Sequence, residues 1–421
     1  MTAKPIYERR WIIIGLLSLG MIIAYVDRGN LSVALAVPDF IRMFHLSDTD
    51  RGTLNSAFFW SYAALQIPAG WAVDRYGVKI PYAFSFLLWC LASAGTALTR
   101  SFSQLMTLRV ILGAGEAVVA PASYRWIRYN FVEKERGLAV GLYMTGTKIG
   151  PAIGAPLAAW LIVACDWRVM FLILGLCGLI WLIPWMILVK EDRKKPARET
   201  QAKDGSPATA VPFGRIMTSP VTWGTVIATF CYMYFVYFCM TWMPAYFVEQ
   251  RHLSLSKMGL YTFFSFGGMA VVAALAGWAA DLLIARGHNP VSVRKAFTIA
   301  GFAIACTELI GAQSSSAETA LLWAVISLSG LGLATANYWA LTQTLIPASA
   351  IGRVSGVQNC SASVAGIVAP VLTGWLKQTT GNYEAPMQAI WFFLVAGILA
   401  YLVMVREKYA PMAPARSGSH L

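Results

Sequence analysis

The sequence predicts an all-α membrane protein with twelve transmembrane helices, arranged as two six-helix halves with both termini in the cytoplasm. Three observations support this fold class. Of the 421 residues, 57% are hydrophobic and only 13% are charged, a balance that soluble domains rarely reach. Apolar stretches long enough to cross a bilayer, which takes roughly 20 residues, recur along the whole chain. One long polar stretch near the middle separates them into two sets of six.

The apolar stretches and the polar stretch divide the chain in order. The expected spans are 11–37, 53–73, 81–99, 102–124, 137–164, 169–189, 221–247, 257–284, 295–313, 318–346, 352–376 and 386–405. The domains that follow are an N-terminal half at 1–190, a cytoplasmic linker at 191–220, a C-terminal half at 221–406 and a cytoplasmic tail at 407–421. The linker is charged and rich in Pro, Ser, Gly and Thr, a composition that buries too little apolar surface to fold.

The basic residues set the expected orientation. With both termini in the cytoplasm, 23 of the 33 Lys and Arg residues lie in cytoplasmic segments, 7 in outer segments and 3 inside spans. Cytoplasmic loops of membrane proteins carry such an excess. The net charge of +13 therefore reflects topology, and nucleic acid is not an expected partner. We expect a monomeric, multi-pass protein of the inner (plasma) membrane with the lipid bilayer as its surroundings.

A short internal repeat supports two equivalent halves. Residues 70–74 read GWAVD at the end of the second span, and residues 277–281 read GWAAD at the end of the eighth. A weaker echo links the Ala-Pro pairs at 155–156 and 369–370, in the fifth and eleventh spans. Two parallel halves with a site between them are the arrangement on which alternating access depends.

Charged residues lie inside the expected spans, where they are costly and usually face a bundle interior or a water-filled cavity. Arg109 and Glu116 are seven residues apart, so they share one helix face about 10 Å apart along the axis. Asp27 and Arg28 are adjacent and point in different directions. Asp27 can therefore pair with Arg109, and Arg28 with Glu116, in the absence of substrate. The competing interpretation is a purely structural ion pair that joins two helices.

Other chemistries find little support in the sequence. The seven Cys residues are isolated, which indicates neither a disulfide framework nor a metal site. No Walker loop and no pairing of a nucleophile with a base occurs, so neither ATP hydrolysis nor an enzyme is indicated. The four His residues fall in connections or the tail, and Glu308 is expected to be solvated near the outer end of its span. No cofactor is expected.

The connection after the second span carries a recognisable motif. Residues 70–79 read GWAVDRYGVK and resemble the loop signature of the major facilitator superfamily, G-x-x-x-D-R-x-G-R-K/R, with Val78 where a basic residue is usual. The resemblance implies a gate latch, in which the Asp holds a helix N-terminus of the opposite half. The residues assigned to this gate motif are Gly70, Asp74, Arg75, Gly77, Lys79 and, in the repeat, Asp281.

Three stretches narrow the resemblance to the anion:cation symporter family. They read YVDRGNLS at 25–32, RVILGAGEA at 109–117 and YFCMTWMPAY at 237–246. That family includes bacterial carriers of D-galactonate, hexuronate, glucarate and tartrate, and animal carriers of sialic acid and vesicular glutamate. The resemblance spans nearly the whole chain. It implies proton-coupled symport of an organic anion, most simply a sugar acid or related carboxylate, with the proton as coupling ion.

The resemblance also implies roles for individual residues. Asp27 and Glu116 would take up protons, Arg109 would pair with Asp27, and Arg28 would pair with Glu116 and attract the anion. The expected substrate-binding residues are Tyr25, Arg28, Tyr62, Thr147, Lys148, Trp339 and Asn359.

Lys148 departs from the sugar-acid pattern, in which a Gln followed by an aromatic residue is usual where this chain has Thr147 and Lys148. Lys148 would either bind a substrate carboxylate or pair with Asp27 or Glu116. Three alternatives remain open at this point: an exchanger of organic phosphates, a carrier of aromatic acids, and an anion sensor built on the same fold.

Overall fold

The computed structural model describes residues 4–190, 213–347 and 350–411, and over these ranges the regular secondary structure is helical. The predicted all-α fold class is therefore confirmed for the described residues. Most of the predicted linker, at 191–212, and the last part of the predicted tail, at 412–421, lie outside them.

We label the long helical segments α1 to α12 in chain order. They are α1 (Lys4–Ala34), α2 (Asp48–Tyr76), α3 (Lys79–Gly95), α4 (Phe102–Glu116 and Val119–Asn130), α5 (Glu133–Ala164), α6 (Trp167–Gly178 and Leu182–Leu188), α7 (Pro220–Thr241), α8 (Leu255–Ala285), α9 (Pro290–Ala305 and Glu308–Gln313), α10 (Ala317–Leu345), α11 (Ile351–Thr380) and α12 (Glu384–Val403). Shorter helices lie at Pro38–Met43, Thr96–Leu98, Leu179–Trp181, Phe213–Met217, Met243–Ala245, Tyr246–Gln250 and Glu407–Tyr409.

Eleven helices in the described part of the chain are long and apolar enough to cross a membrane. The exception among the labelled segments is α2, which contains the predicted span 53–73. Its polar residues explain the difference, since Asn55 and Ser56 are buried inside the bundle and Ser32 of α1 donates a hydrogen bond to Asn55 (3.2 Å). These side chains face neighbouring helices, so a low mean hydropathy is compatible with a position inside the protein.

Local sequence signals set the ends of α2. At its start, Ser47 and Asp50 form a capping box, in which each side chain accepts a hydrogen bond from the other residue's backbone N–H (3.1 and 3.0 Å). At its end, Gly77 has a φ of 85°, a conformation that residues with a Cβ atom rarely adopt. The gate motif therefore lies where α2 ends and α3 begins.

Close approaches at glycine bring the site-bearing helices of the first half together. A Cβ atom at Gly113 of α4 would collide with the Phe58 carbonyl oxygen of α2, and one at Gly150 of α5 would collide with Tyr25 of α1. In addition, α4 is interrupted between Glu116 and Val119, with Gly115 just before the break and Pro121 just after it.

The fold pairs equivalent helices across two halves, which we define as α1–α6 and α7–α12. The second helix of each half packs against the fifth helix of the other, so that α2 contacts α11 and α5 contacts α8. The α-helix of the predicted seventh span ends earlier than expected, at Thr241. A short helix and a π-helical turn at Tyr246–Gln250 continue it.

Candidate functional site

A buried ion pair lies at the centre of the first half. Arg28 of α1 donates a hydrogen bond from Nε to Oε2 of Glu116 in α4 at 2.6 Å, and their side chains are 5% and 0% exposed. The predicted contact between these two residues is confirmed. Because Glu116 is the last residue before the break in α4, its side chain stands at a discontinuity of the helix. The other carboxylate oxygen, Oε1, is buried and has no hydrogen-bond partner in the described part of the chain.

Aromatic rings surround the Arg28 guanidinium. Its central carbon lies 4.4 Å from the ring centroid of Tyr25 and 4.8 Å from those of Phe58 and Tyr62. A guanidinium is attracted to such ring faces, more strongly where water is excluded. The predicted site residues Tyr25 and Tyr62 are therefore placed at Arg28. Phe58 was not predicted, because a Phe inside an apolar span carries no sequence signal.

Asp27 is fully buried and is held by neutral groups. Its Oδ1 accepts hydrogen bonds from the Ser93 hydroxyl (2.7 Å) and from the Asn30 side-chain amide (3.2 Å), whereas Oδ2 has no hydrogen-bond partner among the described residues. The expected ion pair between Asp27 and Arg109 does not form in the described structure. Arg109 is 5% exposed, its Nε is also without a partner, and its guanidinium lies 5.7 Å from the Phe58 ring centroid.

Ser93 was not identified from the sequence as a partner of Asp27, because it lies 66 positions away inside an apolar span. Asn30 could have been identified from spacing. It follows Asp27 by three residues and therefore shares its helix face.

The second half contributes aromatic side chains to the space between the halves. Lys148 of α5 lies with its Nζ 6.0 Å from the ring centroid of Tyr232 in α7, and no ion pair joins it to Asp27 or Glu116 in the described structure. Tyr232 shares a hydrogen bond of 2.8 Å with Thr335 of α10. Lys148 therefore contacts the opposite half rather than the carboxylates of its own half.

The other predicted substrate residues lie at different places. Asn359 of α11 donates a hydrogen bond to Gln66 of α2 across the halves (3.0 Å). Trp339 of α10 is half-buried beside Tyr338, with ring centroids 5.4 Å apart. The Thr147 hydroxyl donates to the Met144 carbonyl of its own helix (2.8 Å). In the described ranges, the hydrogen bonds and ring contacts of these three residues do not include the Arg28–Glu116 pair.

The gate motif lies at the end of the molecule that also holds the described chain termini. Its two acidic residues pair within their own halves, Asp74 with Arg125 of α4 and Asp281 with Arg294 of α9 (3.0 Å). Arg75 lies against its neighbour Trp71, 5.6 Å from the ring centroid. Among the described residues, these two acids therefore do not form the contact with the opposite half that the motif implies.

At the other end of the molecule, a cluster of four charges joins the two halves, which we call the four-charge cluster. It consists of Asp48 and Arg51 of α2, Glu249 of the π-helical turn and Lys377 of α11. Arg51 contacts Asp48 at 2.7 Å and Glu249 at 2.6 Å, and Lys377 contacts Asp48 at 2.7 Å and Glu249 at 2.6 Å. In the predicted topology, Arg51 and Lys377 are two of the seven basic residues in outer segments, with no further role.

The four-charge cluster fixes the charge state of Glu249. Partial burial opposes its ionisation, but Arg51 and Lys377 outweigh this and hold the pKa of Glu249 below its ordinary value. Tyr383 adds a hydrogen bond to the same carboxylate (3.1 Å).

The prediction for Glu308 was wrong. It was expected to be solvated, but its side chain is 3% exposed and receives a hydrogen bond from Ser327 of α10. The reason is the interruption of α9 after Ala305, which turns Glu308 into the second half instead of toward water. No grouping of three or more His, Cys, Asp or Glu suited to a metal ion occurs among the described residues.

Comparison with known proteins identifies the family. The profile of the Major Facilitator Superfamily matches residues 17–370. The hexuronate transporter of Bacillus subtilis is 30% identical over 389 residues, which cover 91% of this chain and 90% of that protein. The D-galactonate transporter of Escherichia coli is 29% identical over 424 residues, covering 96% and 97%. The probable sulfoacetate transporter of Cupriavidus necator is 30% identical over 412 residues, covering 95% and 94%.

Solved structures share the fold at low sequence identity. A bacterial homolog of the human lysosomal transporter Spinster, in an inward-facing and occupied conformation, matches with a TM-score of 0.79 at 17% identity, covering 96% of this chain and 99% of that one. A D-xylose–proton symporter matches with a TM-score of 0.76 at 15% identity, covering 95% and 99%. The resemblance drawn from the sequence motifs is confirmed. The chain belongs to the Major Facilitator Superfamily, as a membrane transporter homologous to acid-sugar and anion transporters and not as an enzyme.

Proposed function

We propose that this transporter is a proton-coupled symporter that takes up an organic anion, most simply a sugar acid or related carboxylate, by alternating access between its two halves. One observation carries the proposal. The buried Arg28–Glu116 ion pair lies near a second acid, Asp27, and a second cation, Arg109, and each of these two has a polar atom without a hydrogen-bond partner in the described structure. Buried charges of this kind are retained where they bind ions or substrates.

The pairing suggests how anion and proton depend on each other. Without substrate, Glu116 neutralises Arg28 and occupies its hydrogen-bonding edge. A substrate carboxylate has to bind the same edge of Arg28. If Glu116 is protonated, it can leave Arg28 to the substrate, and no buried charge is then unpaired. Asp27 would take a proton in the same way, because no cation contacts it directly in the described structure. The proton is the coupling ion, and no cofactor takes part.

The surroundings of the pair favour a hydroxylated acid. Tyr25 and Tyr62 present rings and hydroxyl groups beside Arg28, which suits an anion with an apolar or hydroxylated body. The relatives named above as hexuronate and D-galactonate transporters support a sugar acid. Thr147, Lys148, Trp339 and Asn359 would contact the substrate once the halves close around it.

We further propose that α1 to α12 all cross the membrane and that both termini lie in the cytoplasm. The protein is then a monomer in the plasma membrane. The distribution of Lys and Arg supports this orientation. The domains are then the halves at 1–190 and 221–406, joined by the linker at 191–220 and followed by the tail at 407–421. In this orientation the four-charge cluster faces outward, and the conformation described above is inward-facing.

The deciding experiment is uptake by proteoliposomes that carry Glu116→Gln. A Gln mimics the protonated acid, so the variant should still bind the anion and exchange it in counterflow. Uphill uptake driven by a pH gradient should be lost, because no proton is released. The control is Glu318→Gln, an exposed acid at the start of α10. Accumulation against a gradient by Glu116→Gln would remove Glu116 as a coupling residue.

A further inference from the structure

A second buried acid lies in the C-terminal half, far in sequence from the site proposed above. Glu308 of α9 is 3% exposed, and the polar side chains near it come from four other segments. Ser327 of α10 forms its hydrogen bond, while Cys239 of α7, Tyr261 of α8 and Tyr246 of the π-helical turn are close enough to interact with it electrostatically. None of these groups is a cation.

Arg251 is a cation at this end of the second half, and its hydrogen bonds in the described structure go to groups other than Glu308. Arg251 donates from Nε to the Tyr246 hydroxyl (2.7 Å) and from its terminal nitrogens to the backbone carbonyls of Ser314 (2.5 Å), Ala312 (2.7 Å) and Gly311 (3.0 Å). An ionised Glu308 would therefore be a buried charge without a counter-ion in the described structure, an arrangement that is strongly unfavourable.

The Ser327 hydroxyl has two acceptor oxygens within reach but only one hydrogen to donate. The Ser327 oxygen lies within hydrogen-bonding distance of Glu308 Oε2 and of the Ala324 carbonyl oxygen (3.0 Å). A hydroxyl has one hydrogen, so it can donate a full-strength hydrogen bond to only one of these two acceptors. If Glu308 is protonated, it donates to Ser327, and Ser327 donates to Ala324. Both short contacts are then true hydrogen bonds.

Unpartnered hydroxyls line the same pocket. Tyr261 is 6% exposed and Ser265 is 1% exposed, and in the described structure no hydrogen bond of good geometry reaches either hydroxyl oxygen. Both lie on α8, one turn apart and close to each other, and Tyr261 is within electrostatic range of Glu308. The pocket thus holds a carboxyl group and hydroxyl groups with unused hydrogen-bonding capacity, which suits a group that gains and loses a proton.

The pocket is physically connected to the four-charge cluster. The rings of Tyr246 and Tyr383 have centroids 5.3 Å apart, and the Tyr383 hydroxyl donates to Glu249 of the cluster (3.1 Å). Tyr246 and Glu249 also share one π-helical turn, a type of helix that often marks functional sites. Opening breaks the bridge from Arg51 to Glu249, so this turn loses its contact with the other half and is the element through which opening would admit water to Glu308.

We propose that Glu308 is a proton-binding site. It holds a proton while the halves are closed at the four-charge cluster and releases it when they open there. The inference rests on the alternating access proposed above. It adds a third carboxyl group to Asp27 and Glu116, one whose proton exchanges with the outer side. Because the closed state binds one more proton than the open state, acid favours closure, and the ratio of closed to open molecules changes by at most about tenfold per pH unit.

The test measures the distance across this end of the molecule in lipid nanodiscs. Spin labels are placed at Arg42→Cys and Thr379→Cys, two exposed positions on opposite halves, in a protein without its native Cys residues. Asp27→Asn and Glu116→Gln are included so that those acids cannot titrate. The short-distance population should grow as the pH falls from about 8 to about 5. Adding Glu308→Gln should keep it high and independent of pH.

Two further variants make the result decisive. Glu308→Asp keeps a titratable group and should keep the pH dependence, and Glu318→Gln, an exposed acid on the same side, should not alter it. An unchanged pH dependence in Glu308→Gln would overturn the inference while leaving the proposed symport intact. If no long distance appears at any pH or with any substrate, the proposed alternating access fails instead, and this inference fails with it.

Discussion

Two chemical roles are possible for Lys148. The sequence left open whether it binds substrate or pairs with Asp27 or Glu116. In the structure it pairs with neither acid and instead lies near the Tyr232 ring of the opposite half. A lysine in this position retains its hydrogen-bonding capacity for an anion. The geometry therefore supports the ligand role, which remains a proposal.

Replacing Lys148 by Met tests this role. If Lys148 binds a carboxylate, losing one charge-assisted hydrogen bond costs about 1.5–3 kcal/mol, so affinity should fall about 10- to 150-fold for ligands with two carboxylates. Monocarboxylates that use only Arg28 should lose less. The measurement is a binding series of mono- and dicarboxylates, with melting temperatures recorded in parallel. Equal losses for both classes, restored by Asp27→Asn or Glu116→Gln, would point to a structural role.

At the scale of helices, two glycine contacts decide how closely the charged residues approach. Gly113 allows α4 to touch the backbone of α2, which carries Phe58 and Tyr62 to the Arg28 guanidinium. Gly150 does the same for α5 and α1 at Tyr25. The side chains of the site therefore depend on helix spacing as well as on their own identity.

Gly113→Ala should show this dependence. The added methyl group meets the Phe58 carbonyl and the Ser61 hydroxyl, so α4 must move away from α2. Overpacking of this kind costs about 1–3 kcal/mol, and anion binding should weaken with the displaced Glu116. Gly141→Ala is the matched control, because nothing lies within 4 Å of its Cβ position and a helical Ala is favourable. Equal melting temperatures for the two variants would contradict the packing argument.

The sequence predicted the helices and the central charged residues, because both leave local signals. Apolar length marks a span, and Arg28 and Glu116 stand out as costly residues inside spans. Contacts that depend on folding left no such signal. Ser93 reaches Asp27 from another helix, and the break in α9 turns Glu308 inward. The four charges at Asp48, Arg51, Glu249 and Lys377 resemble ordinary loop charges until the two halves bring them together.

For the whole molecule, the four-charge cluster should hold one end closed. Glu249→Gln removes the partner that Arg51 and Lys377 share, so the closed state should lose about 1.5–3 kcal/mol. The same pair of spin labels should then report a larger open population. The control is Glu384→Gln, an exposed acid at the start of α12. Unaltered distances in Glu249→Gln would show that the cluster does not restrain the halves.

The pH dependence of this contribution has a definite sign. The pKa of Glu249 in the closed state lies below its ordinary value of 4.5, so its pairing stabilises closure above that value. The contribution disappears only as the pH falls through the lowered pKa. Acid below about pH 4.5 should therefore open the cluster, whereas milder acid acting through Glu308 should favour closure.

The gate motif at 70–79 should act at the end of the molecule opposite to the four-charge cluster. Asp74 pairs within its own half here, so it is available to the other half only when that end closes. Asp74→Asn should weaken the state in which that end is shut. A Cys introduced at Asn359, between the halves, should then react faster with a soluble thiol reagent. Asp39→Asn, at an exposed pair with Arg42, is the control. Unchanged labelling would limit the motif to a topological role.

The arrangement of the four-charge cluster also bears on the rate of opening. Asp48 and Arg51 contact each other within one half, and Glu249 and Lys377 contact each other within the other half. When the halves separate, the two bridges between them break, but every charge keeps an oppositely charged partner. The transition state for opening therefore contains no isolated ion, and each separating surface carries no net charge from these residues. A single neutralising substitution would leave one surface charged, raising the activation barrier for closing again.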